Sequence, residues 1–327
     1  MATPTDARRR PASERSASRD RSPASRSPRT AGPAMTDVAV RPAALARAWM
    51  GVDRAHETIA VPGVVLAPGE VLLRVELATI GETELAVVDG ETAAPAPTVL
   101  GSEFVGRIAA TAGRILAVDG VPLELGERVV CASQRPQRIA ARHELVGAFA
   151  THVHVARGVA LVRVGETLPA CVLAPLAGAT ARAARLIREA EAATDLEGAA
   201  VMISGAGATG FTLAAMATER GATVSLAAPD PRTRTVGRRF GALVAPDVRP
   251  DVVLFADRAD AAAAFGPHDP PSEADLTAAV AFMRSPAARK YPFAELVSRP
   301  VGLERLDDAL DLARSGTHVR VAIAPDA

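Results

Sequence analysis

Three glycines, Gly205, Gly207 and Gly210, follow the apolar run Ala199-Ala-Val-Met-Ile-Ser204 in the spacing Gly-x-Gly-x-x-Gly. At the end of a buried strand each has a distinct task. The first makes a tight turn, the second lets the backbone approach a pyrophosphate, and the third allows close packing of helix on strand. The helix that follows, expected over Phe211 to Arg220, directs free N–H groups at the phosphates. This chemistry points to a dinucleotide cofactor. A carboxylate for the ribose is expected about 20 residues on. Asp230 stands in that window, with Ala228 as the alternative occupant of the position. Arg232 and Arg234 follow. If Ala228 is the equivalent residue, these arginines suit a 2′-phosphate and NADP. Otherwise they cap and solvate the next helix. NADP and NAD both stay open.

The elements around this turn alternate. Strands are expected at Ala199–Ser204, Gly221–Ala227 and Asp251–Ala256, and helices at Leu173–Ala193 and Thr233–Phe240. Strand–helix alternation implies a parallel sheet. Beyond Pro271 the pattern predicts a helix (Glu273–Met283), a strand near Phe293–Val301, a helix (Glu304–Arg314) and a last strand, His318–Ile323. From Val38 to about Val164 the chain is β-rich, with short alternating runs separated by turns such as Pro68-Gly69 and Leu125-Gly126. That pattern suggests a small barrel-like domain.

Composition sets bounds on this picture. The chain has 327 residues, enough for two domains. Its formal net charge is zero, which gives no basis for binding nucleic acid or an anionic membrane. Aromatic residues make up only 3%, so the core must come from Ala, Val and Leu. Two cysteines, Cys131 and Cys171, exclude a disulfide framework and a four-cysteine zinc site. The cytoplasm is the default compartment. Residues 1–34, rich in Arg, Ser and Pro, cannot bury a core and are expected to be a disordered leader; Met35 is an alternative start.

Six further passages carry a family resemblance. They are Pro68-Gly-Glu-Val-Leu-Leu-Arg-Val75, Leu77-Ala-Thr-Ile-Gly-Glu-Thr-Glu-Leu85, Val99-Leu-Gly-Ser-Glu-Phe-Val-Gly106, Leu125-Gly-Glu-Arg-Val-Val130 and, near the end, Tyr291–Ser298 with Leu306–Leu310. With the glycine turn they resemble the medium-chain dehydrogenase/reductase superfamily, the zinc-type alcohol dehydrogenases. The resemblance implies an α/β chain in which a GroES-like β-barrel catalytic domain (35–172 with 293–327) joins a Rossmann doubly wound parallel sheet (173–292).

The chain departs from that family at its metal. Zinc members carry a cysteine ligand where this chain has Gly81, and a histidine where Ser102 stands between Gly101 and Glu103. The third ligand falls in Ala174–Thr180, which has neither cysteine nor glutamate. Catalytic zinc needs three protein ligands and an open position. No bound zinc is therefore expected. Glu82, Glu84 and Glu103 are a conceivable alternative metal set, although such carboxylates are usually solvated or paired. His152 and His154 alternate on a strand and read as packing or surface residues. A second departure follows Asp257, where some tens of residues of the family's Rossmann domain are missing. The stretch includes a sheet strand and surface used for dimer contacts, so the family's homodimer stays open.

Two functions follow from the resemblance. One is an NAD(P)-dependent oxidoreductase working without zinc on a small alcohol, carbonyl, cyclitol-type ketone or activated alkene. Thr83 matches the family's hydroxyl relay position, and Thr83, Ser102 and Glu103 are its candidates for acid or orienting roles. The other is a non-catalytic, nucleotide-binding descendant. In the first the partner is a small-molecule substrate.

Overall fold

The computed structural model describes residues 35–134, 145–227, 230–243, 249–257 and 271–326. The expected leader, Ala228 and Ala261–Gly266 lie outside the described residues.

The N-terminal half is built from antiparallel strands. β1 (Thr36–Trp49) pairs with β2 (Glu57–Leu66) and, at its end, with β4 (Thr98–Val99). The β1–β2 register breaks between Ala39 and Ala44. That break holds Pro42, which has no N–H to give a ladder. A larger sheet centres on β3 (Val71–Ile80), flanked by β5 (Glu103–Thr111) and β13 (Val321–Ala324), with β7 (His152–Val155) also pairing to it. β6 (Arg128–Cys131) and β8 (Leu161–Arg163) extend the β5 side, and β12 (Val301–Gly302) the β13 side. The last strand of the chain thus returns to the first lobe, where it lies antiparallel to β3 with Val321 opposite Ile80. A core of Val, Leu, Ala and Ile fills this lobe, including Leu72, Leu73, Val153, Leu306 and Ile323.

The second lobe is parallel. β9 (Ala200–Ser204) lies between β10 (Thr223–Ala227) and β11 (Val252–Phe255), so that Val201 faces both Val224 and Val252. Only residues 256–272 separate β11 from the next described helix, α6 (Glu273–Arg284). Among the described residues the parallel sheet has these three strands, in the order β10-β9-β11. Helix α4 (Gly207–Thr218) follows β9 at once and is buried from Ala208 through Ala217. A helix apolar all round belongs in a core. Its small residues let it pack closely on α3 (Ala179–Ala193).

Three expectations need correction. The helix expected over Leu173–Ala193 is a short α2 (Ala170–Leu173), a 3₁₀ turn (Ala174–Ala177) and then α3, with the break at Gly178. Phe293–Val301 is not a strand: it begins as a 3₁₀ turn (Phe293–Leu296), and only Val301–Gly302 pairs. The few aromatic residues are not marginal to the core. Phe211 stacks on Phe240 at 5.5 Å between ring centroids, and Phe293 meets Phe240 edge-on at 5.1 Å. No single helix among the described residues is long and apolar enough to cross a membrane.

Candidate active site

The glycine turn has the geometry its spacing predicts. Gly205 has φ +90°, and a Cβ there would come within 2.9 Å of the Asp257 N–H nitrogen. Gly210 faces the carbonyl oxygen of Gly205, which would lie 2.6 Å from an added Cβ. Any side chain at Gly210 pushes the helix off the turn. Gly207, φ +85°, opens α4, and no side chain caps that helix N-terminus. The helix starts four residues earlier than expected, so Gly207 and Gly210 both lie in its first turn.

The predicted ribose-side residues are on the next helix, α5 (Pro231–Arg239). Asp230 is its N-cap and accepts the Thr233 N–H at 2.8 Å. Hydrogen bonds from Thr233 hold its carboxyl below the ordinary range. Arg232 donates to the Thr317 carbonyl at 2.9 Å. Arg234 is half-buried on the same helix.

Across from the turn, α1 (Glu82–Val88) begins directly after β3, with Gly81 as its N-cap. Glu84 folds back on this N-terminus. One oxygen accepts the Gly81 N–H at 3.0 Å, and the other accepts the Ser102 N–H at 2.8 Å and the Ser102 hydroxyl at 2.6 Å. Burial pushes the Glu84 carboxyl above its ordinary 4.5, and the charge of Glu103 adds to this; the bonds from Ser102 and Gly81 work the other way. Thr83 is half-buried between the two glutamates on α1.

Glu103 opens β5 and is fully engaged. It accepts from the Thr79 hydroxyl at 3.0 Å, the Ala179 N–H at 2.9 Å and Arg320 Nε at 3.1 Å. Arg320 precedes β13 and is 5% exposed. Its backbone N–H donates to the Leu296 carbonyl, and its own carbonyl accepts the Ser298 N–H. Burial opposes its charge, but the charges of Glu103 and Glu82 outweigh burial and hold the guanidinium protonated beyond its ordinary strength. Arg320 Nη1 also lies 3.5 Å from Glu82 Oε1.

Two glycines make room for this cluster. A side chain at Gly81 would meet Arg320 Nε at 3.3 Å and Glu84 Oε2 at 3.4 Å. One at Gly178 would overlap the Glu103 carboxylate. Of the sequence candidates, Ser102 and Glu103 come together with Thr83 around α1, whereas Asp230, Arg232 and Arg234 form a separate group on α5. Glu84 in its bonded form, Thr79 and Arg320 were not legible as partners. The Gly81-x-x-Glu84 spacing, a helix start with a carboxylate at its third position, is the signal that could have found Glu84. Among the described residues no group of three His, Cys, Asp or Glu has a metal-holding arrangement. His154 is buried and pairs with Glu70 at 2.9 Å; His152 is half-buried beside Thr151. A separate cavity of about 310 Å³, lined by Arg114, Leu116, Val155 and Leu161 among others, shares no residue with the cluster.

The first lobe matches a known domain family. Residues 67–165 fit the alcohol dehydrogenase GroES-like domain. No curated relative matches the sequence at a significant level. Solved structures are similar in fold over most of the chain. An alcohol dehydrogenase from Thermotoga maritima is 16% identical, with a TM-score of 0.69, over 86% of this chain and 99% of its own. Acetophenone reductase from Geotrichum candidum, in complex with NAD, is 16% identical with a TM-score of 0.69 over 87% and 98%. A Sinorhizobium meliloti protein described as a zinc-binding dehydrogenase, bound to NADP, is 18% identical with a TM-score of 0.65 over 86% and 99%. Residues 67–165 therefore form an alcohol dehydrogenase GroES-like domain, and the chain shares its overall fold with solved alcohol dehydrogenases.

Proposed function

We propose that this chain is an NAD(P)-dependent oxidoreductase that works without zinc, interconverting a small alcohol and its carbonyl, a cyclitol-type ketone included, or reducing an activated alkene. The observation that carries this reading is the Glu84–Ser102 pair, a buried carboxyl biased toward holding a proton and hydrogen-bonded to a half-buried hydroxyl at 2.6 Å. Glu82, in the first turn of the same helix, faces Gly207 at the start of α4, where a dinucleotide would seat.

Zinc does not fit these residues. Gly81, Ser102 and Ala174–Thr180 offer no thiolate, imidazole or carboxylate. The volumes that side chains at Gly81 and Gly178 would need are taken by Arg320 and Glu103. A divalent cation would stand against a buried guanidinium. The chemistry of a metal-polarised carbonyl passes instead to proton donation and a fixed positive charge. The cofactor, when bound, supplies or accepts the hydride. In the reacting form a protonated Glu84 would donate to Ser102 Oγ, which turns the Ser102 hydroxyl proton from Glu84 toward the substrate oxygen. Glu103 orients Arg320 and the start of α3, and Thr83 places a second hydroxyl beside the pair. The NAD and NADP complexes among the structural neighbours support a nicotinamide cofactor of either type.

One observation favours a second reading, a non-catalytic nucleotide-binding descendant. Both the N–H and the hydroxyl of Ser102 are committed to Glu84, and both oxygens of Glu103 are occupied. The test is calorimetric titration with NADPH and NADH, followed by hydride transfer to a panel of ketones, enones and cyclitol ketones. Binding with turnover supports the oxidoreductase. Binding without turnover on the whole panel supports the descendant, and binding of neither nucleotide overturns both.

A further inference from the structure

The second glycine of the turn does not face open space. A Cβ on Gly207 would stand 3.1 Å from Glu82 Oε1, making Glu82 the nearest group to the backbone surface that the motif keeps clear for a pyrophosphate. Glu82 comes from the other lobe, as the first residue of α1. Its carboxylate is 3.5 Å from Arg320 Nη1, and Arg320 is anchored on Glu103. The carboxylate thus lies between a buried cation and the uncapped N-terminus of α4, a place where negative charge is favoured. A phosphate is favoured there for the same reason. The two anions want one position.

We propose that Glu82 sets the dinucleotide affinity of this chain. Its carboxylate stands on the phosphate-facing side of Gly207 as an internal competitor, and it must swing away from Arg320 and the turn before a pyrophosphate can seat. The side chain is 55% exposed, so an outward rotamer is open to it. Arg320, in contrast, is buried and stays. When Glu82 leaves, Arg320 keeps a face toward the incoming phosphate. The competitor lowers affinity for any ligand with a diphosphate at this turn. This inference rests on the dinucleotide reading above.

The test compares the wild-type chain with Glu82→Gln, which keeps size and removes charge. NADPH and NADH are titrated calorimetrically at low and high salt, with a thermal melt of each protein. The expected result is a Kd lower by roughly tenfold or more in Glu82→Gln at low salt, the scale of one unit charge removed a few ångströms from a phosphate. The ratio should shrink at high salt, where charge is screened, and the melts should agree. Equal affinities in the two proteins would overturn the role of Glu82 and leave the dinucleotide reading standing. Binding by neither, with both proteins folded, would overturn the dinucleotide reading and this inference with it.

Discussion

Ser102 donates its hydroxyl to Glu84 at 2.6 Å. The hydrogen bond joins two short segments, the start of α1 and the start of β5.

That pairing makes the pH dependence of the rate specific. In the proposed reduction protonated Glu84 is the competent form, and its raised pKa places the loss of that form above the ordinary 4.5. The reduction rate should fall as pH rises through the raised value. Glu84→Gln should remove this limb and lower kcat by about 10²-fold or more, the usual scale of general acid catalysis. Stability shares the sign. The folded chain binds this proton more tightly than the unfolded one, so its contribution is full below pH 4.5 and is lost as pH rises through the folded value. Urea denaturation across pH should show that component in wild type and not in Glu84→Gln.

Gly178 is a packing prediction. An added methyl overlaps the Glu103 carboxylate and disturbs its bond to the Ala179 N–H. Gly178→Ala should cost about 1–3 kcal/mol, as overpacking commonly does. Glu103→Ala should cost about 3–5 kcal/mol, because it leaves Arg320 buried without its anchor. The double variant should be less destabilised than the sum, since the overlap disappears with the carboxylate. Chemical denaturation of the four proteins checks this, and strict additivity would contradict it.

His56 supplies a limb of opposite sign. Its ring is buried and Nδ1 meets Asp307 Oδ1 at 2.7 Å. Burial lowers its pKa from 6.5; the bond to Asp307 and that residue's charge oppose the shift, and Arg47 and Arg314 assist it. The unfolded chain takes up a proton near pH 6.5 that the folded chain refuses. Stability should therefore fall as pH drops below 6.5. His152, lowered mainly by burial, contributes in the same direction. Thermal melts of His56→Gln and wild type over that range should converge as pH falls.

The cysteines differ in reach. Burial pushes the Cys131 thiol up to about 12. Cys171 is raised too, but it lies half-buried on α2. Iodoacetamide should label Cys171 first in the native protein and both equally in denaturant, as read by peptide mass mapping. Native labelling of Cys131 ahead of Cys171 would contradict the packing described.

The sequence exposed what depends on single residues. Gly205 and Gly210 announce themselves because only glycine tolerates φ +90° or a carbonyl 2.6 Å from its Cβ position. β3, β5, β6, β7, β13 and the three parallel strands were legible from alternation, apolar runs and turns, whereas β1, β2 and β8 did not stand out as separate strands. Pairings between distant segments were not. Arg320 meets Glu103 across 217 positions, and nothing in the alternation of the last strand singles that arginine out. Gly178 read as part of a continuous helix because alanines surround it, yet the turn there makes room for Glu103. Phe293–Val301 has strand-like composition, but Tyr291 and Phe293 serve the aromatic cluster around Phe240.

The central claim is hydride transfer without zinc, and one sample tests it. The zinc content of the purified protein is measured, and NADPH oxidation with a carbonyl substrate from the panel is followed on that same protein before and after treatment with a chelator. The account predicts substoichiometric zinc and a rate unchanged by chelation. Stoichiometric zinc, with activity lost on its removal and restored on its return, would contradict it.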